Sequence, residues 1–564
     1  MIELQGISAS TGAALGSFYL MPSPISKPEE SFSSEDPETE IQKLNAAAKE
    51  VSDQLMERAE RVTGEAQAIL YASSEIAVDT ALLSTAESSI RKGSSAVSAI
   101  WEASEVFSQL LTEAGGYLAE RASDVGNIRD RIACILSGIN YPEIPQLDTP
   151  VILIARDLSP ADTTDLQPGQ VLGIITEEGG PTSHTAIIAR TLGIPAVVAC
   201  KGVVAAATSL MSARVGLDAR TGAVTFNPTV EVEDSLRDVS ASISLRRAIK
   251  PKRSPEGYLT RDGFNVPIYA NVGRVEDVAV AIENGADGIG LLRTELLYLG
   301  RQSAPSLADQ RETYAKMFAP FKGKRVVIRT LDAGADKPMA FINFSHEPNP
   351  ALGIRGYRTI GINKDLLLTQ IEAIRDATLA SEADVWVMAP MISLPSEAED
   401  FATLVHGYGL KTAGVMVEVP SAVFLAQEIT KVSDFVSIGT NDLGQYLHAA
   451  DRESAQLAAF NDPWQPALLR AISQVAAAGV AQDCPVGVCG EAASDPALAA
   501  VLIGLGVTSL SCNVSAIQDV ALAMTSLSLQ EMQSAAKAAL DATSARAART
   551  SARQHLSAMI KLGF

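Results

Sequence analysis

The chain has 564 residues, a formal net charge of −21, 47% hydrophobic and 20% charged side chains. That length exceeds what one compact core supports and predicts two or three domains, while the acidic balance argues against a nucleic-acid surface and favours steering of a basic protein partner. No apolar run reaches the ~20 residues that cross a bilayer, the opening MIELQGISAS lacks a secretory pattern, and an odd count of five cysteines fits reduced thiols in the cytoplasm better than a disulfide framework.

From Met1 to about Met21, short apolar runs alternate with glycine and serine, the pattern of strands and turns. From Glu38 to Leu136 the sequence becomes alanine-rich, charged and almost free of proline. Ile41, Leu44, Ala48, Val51 and Leu55 recur there at helical spacing, which predicts a small helical bundle. VILIA (Val151–Ala155), VLGII (Val171–Ile175), AVVA (Ala196–Ala199) and AVTF (Ala223–Phe226) then read as strands, with a helix over Thr185–Leu192. The opening strands complete this α/β domain, so the bundle is expected to be an insertion. The expected boundaries are 1–22 with 146–228 for the α/β domain and 23–145 for the helical insertion. A linker and hinge over 229–257, partly helical and ending in PKRSPEG, comes next.

Over 258–564 a β-then-α pattern repeats. VPIYAN, DGIGLL, RVVIRT, VWVMAPM, GVMVE, FVSIG, PVGVC and VTSLS are strand candidates separated by helical stretches such as Val275–Asn284 and Leu366–Ser381. Eight buried-type strands alternating with helices predict a (β/α)₈ TIM-type barrel, with a doubly wound open sheet as the alternative. The fold class is therefore multidomain α/β.

Barrel active sites lie at the C-terminal ends of strands. In order, the residues found there are Asn271, Arg293 with Glu295, Arg329 with Asp332, Met391, Glu418, Asn441 with Asp442, and Cys489. Arg293 and Arg329, on neighbouring strands, suit a phosphate or carboxylate, because guanidinium donates paired hydrogen bonds and stays charged. Glu418 and Asp442, on consecutive strands, suit one hard cation, for which Mg2+ is the natural choice. Lys337, Arg355 and Arg452 add positive charge or serve as salt-bridge residues. In GGPTSHTAIIAR (Gly179–Arg190), His184 falls at or near a helix N-terminus, where free amides and the helix dipole favour an attached phosphoryl group. The same field disfavours imidazolium and so preserves a nucleophilic imidazole.

Several blocks, in order, resemble the Enzyme I family of the bacterial sugar phosphotransferase system, the phosphoenolpyruvate–protein phosphotransferases. They are GISASTG (Gly6–Gly12), RDLSPADT (Arg156–Thr163), GGPTSHTAIIAR, GADGIGLLRTELLY (Gly285–Tyr298), RTLDAGADK (Arg329–Lys337), NPALGIRGYR (Asn349–Arg358), MVEVP (Met416–Pro420), SIGTNDLGQY (Ser437–Tyr446) and VCGE (Val488–Glu491). The resemblance implies that His184 is the phosphorylated histidine, with Thr163 hydrogen-bonded to it. It implies that Arg293, Arg329, Arg452, Asn441 and Asp442 bind phosphoenolpyruvate with help from Lys337 and Arg355. Glu418 and Asp442 would hold magnesium, and Cys489 would protonate enolpyruvate to pyruvate. The bundle would dock the histidine phosphocarrier HPr, the barrel would carry a homodimer interface, and the reaction would open sugar uptake. Ala335, Gly444, Glu453 and the loop Leu217–Gly222 depart from the family pattern, and Glu453 sets a negative charge beside Arg452.

Phosphoenolpyruvate synthases and pyruvate phosphate dikinases share both halves but need a nucleotide-grasp domain, for which the chain has neither room nor a glycine-rich phosphate loop. A non-catalytic regulatory relative is the other alternative. Retention of the histidine, carboxylates, arginines and cysteine together argues against it.

Overall fold

The computed structural model describes residues 1–22, 25, 28, 36–60, 65–114, 122–142, 144, 149–158, 162, 166, 169–180, 184–299, 301–334, 339, 341–342, 347, 349–452, 457 and 459–564. The chain divides into two compact units, Met1–Ser244 and Leu245–Phe564.

In the first unit, nine short strands form two sheets. β1 (Ile2–Gln5), β2 (Ile7–Ser10), β3 (Ala13–Gly16) and β4 (Phe18–Leu20) come before the bundle. β5 (Val151–Ala155), β6 (Val171–Thr176), β7 (Ala196–Val198), β8 (Val215–Asp218) and β9 (Ala223–Phe226) follow it. One sheet runs β2-β7-β6-β5-β4, parallel except for β2, and the other runs β1-β9-β8-β3, antiparallel throughout. β5 is buried at every position, as a continuous VILIA run requires when both faces of a sheet are covered. β4 and β5 are hydrogen-bonded neighbours, so everything between them departs from and returns to one edge.

That intervening stretch is helical: Pro37–Glu60, Glu65–Ala77, Thr80–Arg91, Ala96–Ala114 and Ala122–Leu136. Ile41, Leu44, Ala48, Val51 and Leu55 all lie on the buried face of the first helix, as their spacing predicts. Not every element was read from the sequence. β8 is four residues long and holds both glycine and aspartate; antiparallel pairing on both sides, with β3 and β9, makes it a strand. Within 229–257 lies a helix, Val230–Ala248, whose Leu236 and Val239 pack against Ala13.

In the second unit, β10 (Arg253–Ser254), β11 (Gly257–Leu259) and β12 (Asn265–Val266) form a small antiparallel sheet. The barrel follows: β13 (Ile268–Val272), β14 (Ile289–Leu292), β15 (Arg325–Arg329), β16 (Asp384–Ala389), β17 (Thr412–Val417), β18 (Phe435–Ile438), β19 (Val486–Val488) and β20 (Ser509–Asn513). These eight strands pair in chain order, all parallel, and β20 closes on β13. Among the described residues, no helix is long and apolar enough to cross a membrane.

One side chain fixes the approach to the last barrel helices. Asp495 Oδ1 caps helix Pro496–Gly504, accepting from the Ala497 and Leu498 amides at 2.9 and 3.2 Å, while its Oδ2 accepts from the fully buried Trp464 Nε1 at 2.9 Å. Asp495→Ala removes the cap and leaves an indole N–H buried without a partner. The expected loss is about 2–4 kcal/mol in urea unfolding followed by tryptophan fluorescence; a loss below about 1 kcal/mol contradicts this role.

Candidate active site

The residues expected at the strand ends gather at the C-terminal mouth of the barrel. Arg293 directly follows β14, and its amide donates to Val272 O at 2.8 Å. Arg329 is the last residue of β15, Glu418 follows β17, and Cys489 follows β19. Asn441 and Asp442 open helix Thr440–His448, just past β18. Lys337 and Thr163 lie outside the described residues, as do Ala335 and Glu453.

Three carboxylates and three guanidiniums form one connected network. Asp332, with no exposed surface, accepts from Arg355 Nε and Nη2 at 3.0 Å each. Arg355 Nη1 donates to Asp442 Oδ1 at 2.9 Å, and Arg452 Nη1 lies 3.6 Å from Asp442 Oδ2. Arg329 is ion-paired to Glu295 and sits 3.6 Å from Asp332. Burial disfavours the charge of both Arg329 and Arg355, but the surrounding carboxylates outweigh it and raise each above its ordinary value. Arg293 stands apart: it is exposed and, among the described residues, forms no ion pair. It is the cation most available to an incoming anion, whereas Arg355 exerts its charge from behind Asp442.

Glu418 lies at the centre and has no exposed surface. Its Oε1 accepts from the Met391 amide at 2.7 Å, and Met391 holds a left-handed backbone, φ 61°, to aim that amide. Oε2 is buried with no hydrogen-bond partner. Burial, reinforced by the Asp442 and Asp332 carboxylates, pushes Glu418 above the usual carboxylate range. Asp442 also resists ionisation through burial, but Arg355 and Arg452 prevail and hold it below that range. An orphaned carboxylate oxygen beside an ionised aspartate is a donor set that a hard cation satisfies. Among the described residues no third acidic, histidine or cysteine side chain joins them, so substrate oxygens and water would complete such a shell.

Two glycines allow the close approach of these loops. A methyl group at Gly439 would lie 2.6 Å from Glu418 Oε2, and one at Gly490 would lie 1.8 Å from Thr440 Oγ1. Asn441 Oδ1 accepts from the Glu491 amide at 3.0 Å, tying the β18 and β19 loops together. Cys489 is 2% exposed among Leu291, Met388 and Met416. Burial raises its thiol to about 11, opposed by a hydrogen bond with Ser437. A protonated thiol is the form that can act as an acid.

In the first unit, His184 is the first residue of helix His184–Leu192, the next described element after β6. Thr185, buried, donates its hydroxyl to Leu158 O at 3.2 Å and so fixes the helix start.

Three side chains of this site had no role assigned from the sequence: Glu295 and Asp332, which hold the arginines, and Ser437. The signal for Ser437 was a hydroxyl inside the otherwise apolar strand FVSI.

Family models match three consecutive stretches: the N-terminal domain of PEP-utilising enzymes over 5–121, their mobile domain over 147–222, and their PEP-binding domain over 252–529. Fold and site thus define a phosphoenolpyruvate-utilising enzyme. The phosphoenolpyruvate-protein phosphotransferase of Streptomyces coelicolor is 43% identical over 98% of this chain and 99% of its own. That of Haloferax volcanii is 36% identical over 88% of each. A solution structure of Enzyme I (nEIt) is 30% identical, covering 43% of this chain and 99% of its own, with a TM-score of 0.34. The chain belongs to the phosphoenolpyruvate–protein phosphotransferase family.

Asp332 is the test of the charge network. Asp332→Asn keeps the shape but leaves the buried Arg355 with half its compensation. We expect a loss of about 3 kcal/mol in urea unfolding; a loss below about 1 kcal/mol contradicts the network.

Proposed function

We propose that the barrel mouth binds phosphoenolpyruvate and that His184 takes its phosphoryl group, then passes it to a histidine of the phosphocarrier HPr as the first step of sugar uptake. As a member of its family the chain is an enzyme, a phosphoenolpyruvate–protein phosphotransferase with a protein as phosphoryl acceptor. The observation that carries the finer reading is the orphaned Glu418 oxygen, buried beside an Asp442 that Arg355 and Arg452 hold ionised.

Arg293, Arg329 and Arg452 bind the anionic oxygens, with Lys337, and Arg355 adds charge through Asp442. Asn441 and Asp442 border the substrate. Glu418 and Asp442 hold Mg2+, which when bound neutralises phosphate and carboxylate charge. The His184 imidazole attacks phosphorus as the bond to the enol oxygen breaks, a step governed by positioning and charge stabilisation. Thr163 hydrogen-bonds the imidazole. Cys489 gives its proton to the methylene carbon of the departing enolpyruvate, which becomes pyruvate.

The division of labour follows the expected boundaries. Residues 1–22 and 146–228 carry the phosphohistidine, 23–145 dock HPr, 229–257 link, and 258–564 bind substrate and form a homodimer. The barrel surface offers the exposed Leu394 and Phe424 to such an interface. A cytoplasmic site is supported by five buried cysteines, all free.

Pyruvate release from phosphoenolpyruvate tests the reading. The expected result is multiple turnovers with HPr and magnesium, about one pyruvate per subunit without HPr, and none after chelation. Turnover that ignores both HPr and magnesium contradicts it, and labelling of the protein from ATP favours a dikinase-type enzyme.

A further inference from the structure

Interior positions of an eight-stranded parallel barrel are normally filled by layers of branched apolar side chains. At the strand starts of this barrel the layer is planar and charged instead. Arg325, the first residue of β15, holds its guanidinium carbon 3.5 Å from the centre of the Trp386 ring and 5.6 Å from that of Tyr269. The Trp386 ring lies 4.8 Å from that of Phe435, so this row spans β13, β15, β16 and β18.

Across the barrel, β19 and β20 contribute little bulk. A methyl group at Gly487 would lie 3.0 Å from Ser509 Oγ and 3.9 Å from Ser437 Oγ, so its absence leaves both hydroxyls on one gap. The gap belongs to an interior cavity that Arg325 and Trp386 also border, in which about 20 Å³ is open to the centre of a water molecule.

Aromatic faces attract a guanidinium but give its in-plane N–H groups no acceptor atom. Arg325 Nε is buried with no hydrogen-bond partner, and among the described residues its side chain forms no ion pair. The acidic side chains around it are engaged elsewhere. Asp384, in register with Arg325, accepts from Trp386 Nε1 at 3.0 Å, and Asp287 accepts from Arg253 at 2.5 Å and from the Ile268 amide at 2.8 Å. A guanidinium left without an acceptor, beside a void lined with hydroxyls, calls for a group that brings both lone pairs and negative charge.

We infer that this cavity is a binding site for one small monovalent anion, a halide or formate, held by the Arg325 guanidinium and the hydroxyls of Ser437 and Ser509. Size sets the class: one water needs roughly 10–15 Å³ of such space, so the cavity admits an ion of that scale and excludes a phosphate ester. Arg325 and Arg329 are four residues apart on one strand, roughly 13 Å. The anion and the barrel-mouth arginines therefore occupy opposite ends of the barrel. The chain's net charge of −21 opposes any anion, which sets a weak affinity, with half-saturation on the order of 10 mM.

Bromide, a heavy-atom quencher, tests the site through Trp386, which alone of the three tryptophans borders the cavity. Sodium bromide replaces sodium gluconate, whose anion is too large to enter, at constant ionic strength, and emission is read as both intensity and lifetime. The wild type should lose up to one tryptophan's share of the intensity, saturably and with no change in lifetime, and chloride should reverse the loss. Arg293→Met, altered only at the opposite mouth, should behave as wild type. Arg325→Met and Gly487→Ala should each abolish the saturable loss and leave collisional quenching, which is linear and shortens the lifetime. Collisional quenching alone in the wild type would mean that water fills the cavity, and would overturn the site. A saturable loss that survives in Arg325→Met would do the same. If Arg325→Met melts well below the wild type, Gly487→Ala decides, because it fills the gap and leaves every charged group in place.

Discussion

Asp332 has no exposed surface, and both its oxygens are filled by one guanidinium, that of Arg355. Ionised groups so far from water survive only in mutual compensation, and this pair anchors the rest of the barrel mouth. Arg355 spends its remaining reach on Asp442, which thereby stays ionised despite its burial. Asp442 ionised, with Asp332 close by, in turn makes ionisation of Glu418 unfavourable. Two carboxylate oxygens of the site, Glu295 Oε2 and Glu418 Oε2, are left buried without a hydrogen-bond partner, and our proposal assigns a cation to the second.

The same balance explains the division among the arginines. Arg329 and Arg355 are held by acidic partners and are positioned before any ligand arrives, whereas Arg293 remains exposed. Pre-paid orientation of charges is what phosphoryl transfer requires, since its transition state asks for positioning more than for covalent chemistry. Beneath this layer the barrel becomes apolar around Cys489, which keeps the thiol protonated, while the row Ser437–Gly487–Ser509 opens a polar seam inside the core.

Much of this was legible in the sequence because strand ends in a (β/α)₈ barrel impose a periodic position on functional side chains. All eight barrel strands, the first helix of the bundle and the helix beginning at His184 were visible as periodic patterns. What periodicity cannot reveal is partnership. Glu295 and Asp332 stood at the right positions, yet only the fold shows that they hold Arg329 and Arg355. Met391 reads as a core residue, and its contribution is a backbone amide in a left-handed conformation. β8 escaped because its strand character comes from two antiparallel neighbours rather than from VGLD itself.

The central claim is that phosphoenolpyruvate delivers its phosphoryl group to His184. Incubation with radiolabelled phosphoenolpyruvate and magnesium, followed by peptide mapping, tests this most directly. The predicted result is an acid-labile, base-stable label on the peptide containing His184, absent from His184→Ala. A label on any other residue, or one that persists in His184→Ala, would contradict the account.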